Sequence, residues 1–262
     1  MLDRPDPATA AALARLYDLD LADDPGDFEL YQALARRANG RVLELAVGSG
    51  RLAVPLAAAG HRVTGVDIDP AMLDRARARA VRSELPAGAL ELVEADIVGL
   101  ALPGGAAFGF AYLALNSLMT LPTRAAQQAA VRALAEHLVP GGIAAVDVWL
   151  PDADDLARYD GRVMLEWPRH DPETGTLITK SGSALYDAAT GTVALTAIFE
   201  EGVQGEAPAR WVRHDRLRLV SADELAAFAE TVGLRVETLA GGYDLEPLGP
   251  GSERALLVAV RT

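Results

Sequence analysis

The chain has no cysteine, one lysine (Lys180), four histidines and only 5% aromatic residues. The missing cysteine excludes disulfides and any thiolate nucleophile or thiolate metal ligand. No run reaches the about 18 apolar residues a membrane-spanning helix needs, so no membrane partner is expected. The N-terminal stretch MLDRPDPATAAALARLYD is acidic early and has no basic segment followed by an apolar one, so it does not read as a secretory leader. Together these features predict a cytoplasmic protein. Basic charge is scarce as well: the net charge is -13 and the pI is about 4.7. A phosphate backbone would be repelled on average, so no nucleic-acid partner is expected.

What is present is a large apolar fraction, half of 262 residues, enough for a sizeable core. Short apolar runs alternate with helical periodicity. VLELAV (42–47), HRVTGVD (61–67), LELVEAD (90–96), AFGFAYLAL (107–115) and IAAVDVWL (143–150) read as strands. RLAVPLAAAG (51–60), PAMLDRARARAV (70–81) and TRAAQQAAVRALAEHLV (123–139) read as the helices between them, after helices at 8–17 and 27–38, with Asp27 as an N-cap. Such alternation implies an α/β domain: a parallel sheet with helices on both faces. Beyond Pro151 the texture changes. Four runs within 160–219 alternate as antiparallel strands, with DAATGT (187–192) as a hairpin turn. SADELAAFAETVG (221–233) is a helix opened by a Ser221…Glu224 capping box, and LRVETLAG and RALLVAVRT supply two more strands of the first sheet. The expected organisation is one domain from 1–150 and 220–262, interrupted by an antiparallel insertion at 151–219.

The most informative stretch is VLELAVGSGR (42–51), a buried strand running into a glycine-rich turn. A dinucleotide's pyrophosphate would sit over such a turn at a helix N-terminus. An acid, Glu44, in the strand just ahead works against an anion and suits a cation. Gly48 and Gly50 allow close backbone approach, and Ala46 is the smallest side chain that still does.

This stretch resembles motif I of the class I S-adenosylmethionine-dependent methyltransferases, acid-x-G-x-G-x-G, with Ala46 in place of the first glycine. Four further segments fall in the family's order: VTGVDIDPAML (63–73), VEADI (93–97), YLALNSLMTLP (112–122) and LVPGGIAAVDV (138–148). The resemblance implies a Rossmann-like sheet of seven mostly parallel strands, with the insertion as a small antiparallel β lid after strand five. It implies S-adenosyl-L-methionine as cofactor. Asp67, with Ile68 beside it, would take the ribose hydroxyls, and Met72 would pack on the adenine. The Asp96 side chain would take the adenine amino group, with the Ile97 backbone against the ring. Leu115 and Asn116 would approach the methionine end. A nicotinamide enzyme, with Asp67 on an NAD ribose, is the rival; it leaves Glu44, VEADI and LVPGG unaccounted for.

Nucleobase and glutamine methyltransferases carry Asn/Asp-Pro-Pro-aromatic after strand four, where this chain has Leu115-Asn116-Ser117-Leu118. That quartet is similar to the small-molecule N-methyltransferases of the glycine/sarcosine and amino-sugar type, and implies a small-molecule acceptor. N-methylation is expected before O-methylation. The histidine of some amino-sugar enzymes has no counterpart, since Met119 and Thr120 stand there. A cofactor-binding protein that does not methylate is the alternative. His214, in the insertion, either faces the acceptor or is solvated, and with Asn116 it forms the catalytic candidate pair. Tyr17 either closes over the cofactor, as in the amino-sugar enzymes, or is a half-buried helix residue. Arg51 either reaches the methionine carboxylate or is a surface residue. No metal site is expected. Edge strands in the lid offer a route to a homodimer.

Overall fold

A computed structural model describes residues 5–23, 25–202, 205 and 207–262. Contacts divide them into two units, one of the described residues up to 24 with Asp152–Leu219, the other Pro25–Pro151 with Val220–Thr262.

In the second unit, β1 (Arg41–Leu45), β2 (Val63–Asp67), β3 (Leu90–Glu94), β4 (Phe108–Leu113) and β5 (Leu138–Trp149) are joined by β10 (Leu234–Ala240) and β11 (Arg254–Arg261). The order across the sheet is β10-β11-β5-β4-β1-β2-β3. Only β11 runs antiparallel to its neighbours. The last two strands pair antiparallel, and β11, the later one, enters between β5 and β10. α2 (Phe28–Ala38), α3 (Ala53–Ala58), α4 (Pro70–Arg82), α5 (Arg124–His137) and α7 (Ala222–Thr231) complete the unit. Ser221 caps α7 through the Glu224 N–H at 3.2 Å, as its sequence predicts. Tyr31, Val42, Val47, Leu52, Phe110, Tyr112, Ile143 and Leu256 belong to one continuous core. Strands buried on both faces, such as β4 with all six residues buried, explain the unbroken apolar runs.

The first unit holds the four-stranded antiparallel sheet, β6 (Asp160–His170), β7 (Leu177–Asp187), β8 (Thr192–Gly202) and β9 (Ala209–Arg218), in sequential order. At the β7–β8 turn the Asp187 side chain accepts from Ala189 N–H at 2.9 Å and Thr190 O–H at 2.8 Å. A short helix, α6 (Ala153–Arg158), opened by an Asp152/Asp155 capping box, was not anticipated. The N-terminal helix α1 (Pro7–Asp20) belongs to this unit, whereas the sequence reading assigned it to the other. Its Leu16 and Leu19 pack with Ile178 and Phe199. Lys180, the one lysine, reaches Asp20 at 2.6 Å and Glu166 at 2.7 Å, and Trp167 donates to Asp20 at 3.0 Å. The parts of the expected domain ranges at 1–4, 24, 203, 204 and 206 lie outside the described residues. Among the described residues, no helix is long and apolar enough to cross a membrane.

Candidate functional site

The C-terminal ends of β1, β2, β3 and β4 lie side by side in the sheet, and the four sequence segments singled out around them end there. The turn after β1 is built from left-handed residues, with φ of 55° at Ala46, 55° at Gly48 and 76° at Gly50. This conformation, not only room for a ligand, is what the position of Ala46 asks for; an alanine there costs about 1 kcal/mol. A Cβ on Gly48 would meet nothing within 4 Å, so its surroundings are open. A Cβ on Gly50 would lie 3.0 Å from Val54 and 3.1 Å from Ala76, so that glycine serves helix packing.

Asp67 ends β2 and ties the turn down. Its Oδ2 accepts Gly48 N–H at 2.7 Å and its Oδ1 accepts Asp69 N–H at 2.9 Å. A carboxylate offers about four acceptor sites, so capacity remains for two hydroxyls. Burial raises the Asp67 pKa, against the N–H groups that lower it. Beside it Ile68 is 51% exposed, an apolar side chain left in solvent where a nucleoside would cover it. Met72 is half-buried in the first turn of α4, which Asp69 caps by accepting Ala71 N–H at 2.9 Å. After β3, Ile97 is buried, and Asp96 is exposed with its Oδ1 on Val98 N–H at 2.8 Å.

The post-β4 loop places two consecutive non-glycine residues in the left-handed region, Leu115 at 50° and Asn116 at 64°. Two hydrogen bonds hold it there. Leu115 N–H donates to Asp147 at 2.8 Å, and Trp149 N–H donates to the Asn116 side-chain oxygen at 2.6 Å. The Asn116 carbonyl is therefore engaged in holding β5, a positioning contact. Asp147, fully buried, also accepts from Tyr31 O–H at 2.7 Å and Tyr243 O–H at 3.0 Å and pairs with Arg254 at 2.5 Å. Asp147 was not among the candidate residues of the sequence. Its signal was legible: an acid inside the apolar strand IAAVDVWL must find partners.

Glu44 is 5% exposed and accepts Tyr112 O–H at 2.9 Å. Burial pushes its pKa up to about 8, with the Tyr112 hydrogen bond acting in the other direction. The raised pKa favours the protonated form, so Glu44 is not a fixed negative charge beside the turn. Arg51 is half-buried and turns its two Nη groups onto the buried Asp27 at 2.7 and 2.6 Å. Asp27 precedes α2 as expected but makes no side-chain cap; Arg51 uses its carboxylate instead.

Two sequence candidates lie in the other unit, on opposite faces of its sheet. The Arg213 guanidinium lies over the Tyr17 ring at 5.4 Å on the face that carries α1. His214, one residue along, points to the opposite face, is exposed, and meets Thr196 Oγ1 at 3.1 Å. One sheet face cannot present both. By the same alternation Arg210 and Arg216 share the His214 face.

Residues 42–142 match the family described as Methyltransferase domain. They contain all four strand ends just described, so this segment is similar to a methyltransferase domain. The chain is 46% identical to an uncharacterized protein of Mycobacterium tuberculosis over 52 residues, 20% of this chain and 19% of that protein. It thus spans about a fifth of that relative's length. Against the cypemycin N-terminal methyltransferase of a Streptomyces species, identity is 27% over 86% of this chain and 85% of that one. Among solved structures, the CcbJ methyltransferase of Streptomyces caelestis superposes with a TM-score of 0.81 at 24% identity, covering 99% of this chain and 100% of that one. The amino pentose methyltransferase CalS10 of Micromonospora echinaspora, solved with S-adenosylmethionine bound, gives 0.71 at 20% identity over 94% and 97%.

Proposed function

We propose that this chain transfers the methyl group of S-adenosylmethionine to a small molecule, to nitrogen in preference to oxygen. The observation that carries the reading is the turn–Asp67 pair. A left-handed loop with open surroundings at Gly48 is hydrogen-bonded to a carboxylate that keeps acceptor capacity. That donor set fits a nucleoside with two ribose hydroxyls. Asp67 and Ile68 would hold the ribose, Met72, Asp96 and Ile97 the adenine, and Ala46, Gly48, Leu115 and Asn116 the methionine part. The sulfonium is intrinsically activated, so the protein's task is alignment and exclusion of water.

Nitrogen is favoured for two reasons. A neutral amine needs no strong base before it attacks, and the buried groups beside the post-β4 loop are already committed to one another around Asp147. The likeness to an N-terminal methyltransferase and to an amino pentose methyltransferase supports an amine acceptor by analogy. His214 is the candidate proton acceptor if the acceptor meets its sheet face. The four-stranded antiparallel sheet carries two edge strands, β6 and β9, through which two copies would pair.

The experiment is turnover. Incubation with S-adenosylmethionine and a panel of amines and phenols, read as S-adenosylhomocysteine by mass spectrometry, should give product with at least one amine. Binding of the cofactor with no turnover across the panel supports the second reading, a cofactor-bound protein that does not methylate.

A further inference from the structure

Glu44 stands in β1 opposite Gly65 of β2 and Tyr112 of β4, two residues before the turn. Its carboxyl accepts the Tyr112 hydroxyl and the Ala53 N–H at the start of α3, and water reaches almost none of it. Two charges act on it. Arg51 favours its anion, but the Arg51 Nη groups are turned onto Asp27; Asp27 opposes the anion. Of the other titratable groups on the packed elements, Asp67 ends β2 and is held by Gly48 N–H and Asp69 N–H. Tyr31, whose ring lies 4.7 Å from that of Tyr112, spends its hydroxyl on Asp147, and β2 contributes Gly65, with no side chain. Glu44 is therefore a buried acid whose charge is poorly compensated, placed directly beneath the loop that the donor would cross.

We propose that Glu44 is a proton-coupled counter-charge for the cofactor: it carries a proton before the cofactor binds and releases it to solvent on binding. This rests on the cofactor reading above. S-adenosylmethionine brings a sulfonium and an ammonium against one carboxylate, a net positive charge. A cation within about 4–6 Å of a carboxyl favours its ionised form. Burial, with Asp27 adding to it, pushes Glu44 up to about 8 against its hydrogen bonds and Arg51, which favours the protonated form near neutral pH; the arriving charge reverses that balance. Protonated Glu44 thus adds no charge to a crevice that already holds the Asp67 carboxylate, and contributes its own negative charge only when a cation arrives. A neutral or anionic nucleotide gains nothing from the same carboxyl, which makes Glu44 a determinant of cofactor choice as well as of affinity.

Isothermal titration of S-adenosylmethionine into the full chain at pH 7, in buffers of differing ionisation enthalpy, reads the protons released. The expected result is about one proton per cofactor for the wild type and none for Glu44→Gln, with binding retained. Independently, wild-type affinity should rise about tenfold per unit between pH 6 and 7 and level off above about pH 8; the cofactor's own amine stays protonated through the lower range. If Glu44→Gln fails to fold, this wild-type series decides alone. Binding with no buffer-dependent heat and a flat pH profile overturns the proposal and leaves the cofactor reading standing. No binding in any buffer overturns the cofactor reading on which the proposal rests.

Discussion

Two buried acids sit on one face of the central sheet, and they are held in opposite ways. Asp147, at the end of β5, is saturated: a guanidinium, two tyrosine hydroxyls and a backbone N–H converge on it. Glu44, at the end of β1, has a tyrosine hydroxyl and a backbone N–H, while the Arg51 Nη groups that would favour its charge lie on Asp27. The first is locked by these contacts into an arrangement that pins the post-β4 loop. The second is left able to change its protonation. One strand, β4, separates them, and its Tyr112 ring lies tilted against the Tyr31 that serves Asp147. The contrast teaches that a buried carboxylate is not one kind of object: partner chemistry decides whether it is scaffold or switch.

The largest expected effect breaks the locked acid. Asp147→Ala leaves Arg254 and two tyrosine hydroxyls without their acceptor and should cost about 3–5 kcal/mol of stability, measured by urea unfolding. Asp147→Asn should cost less. The second test addresses the crevice. Asp67→Ala removes the acceptor for the turn and for the ribose, and should weaken S-adenosylmethionine binding by about 10- to 100-fold in calorimetry, from charged hydrogen bonds of about 1.5–3 kcal/mol. Unchanged affinity would remove Asp67 from the site.

A third test concerns the switchable acid. The folded-state pKa of Glu44, about 8, lies above the ordinary 4.5, so the folded state holds a proton that the unfolded state gives up. Its contribution to stability is complete below the ordinary value and is lost as pH rises toward and through about 8. The thermal midpoint of the apo protein should therefore fall across this window, and Glu44→Gln should flatten the slope. The smallest effect is at Ala46. Replacement by glycine relieves the left-handed strain of an alanine but adds unfolded-state entropy, so Ala46→Gly should change stability by under about 1 kcal/mol, in the stabilising direction.

The parallel sheet was legible because its strands are buried on both faces and its helices carry their own punctuation. Pro70 opens α4, Ser221 caps α7, and Asp67 ends β2 where a carboxylate is visible as an exception. Two kinds of information were not legible. Ionisation depends on burial depth, so VLELAV displayed Glu44 as an acid while hiding that burial favours its protonated form. Partner choice depends on tertiary approach, so Asp27 was read as a helix cap and instead holds Arg51. In the antiparallel sheet the strands and the Asp187 turn could be read from alternation. Which face α1 covers could not, because the Arg213 and His214 faces both carry charge and apolar side chains. Only Leu16 and Leu19 meeting Ile178 and Phe199 decides it.

The most direct test is a structure of the chain crystallised with S-adenosylhomocysteine. The account predicts both ribose hydroxyls on the Asp67 carboxylate, adenine beside Ile97, and the amino-acid end running over Gly48 toward Leu115 and Asn116. Density for the ligand elsewhere, or its displacement by a dinucleotide whose diphosphate lies on the Gly48–Gly50 turn, would contradict it.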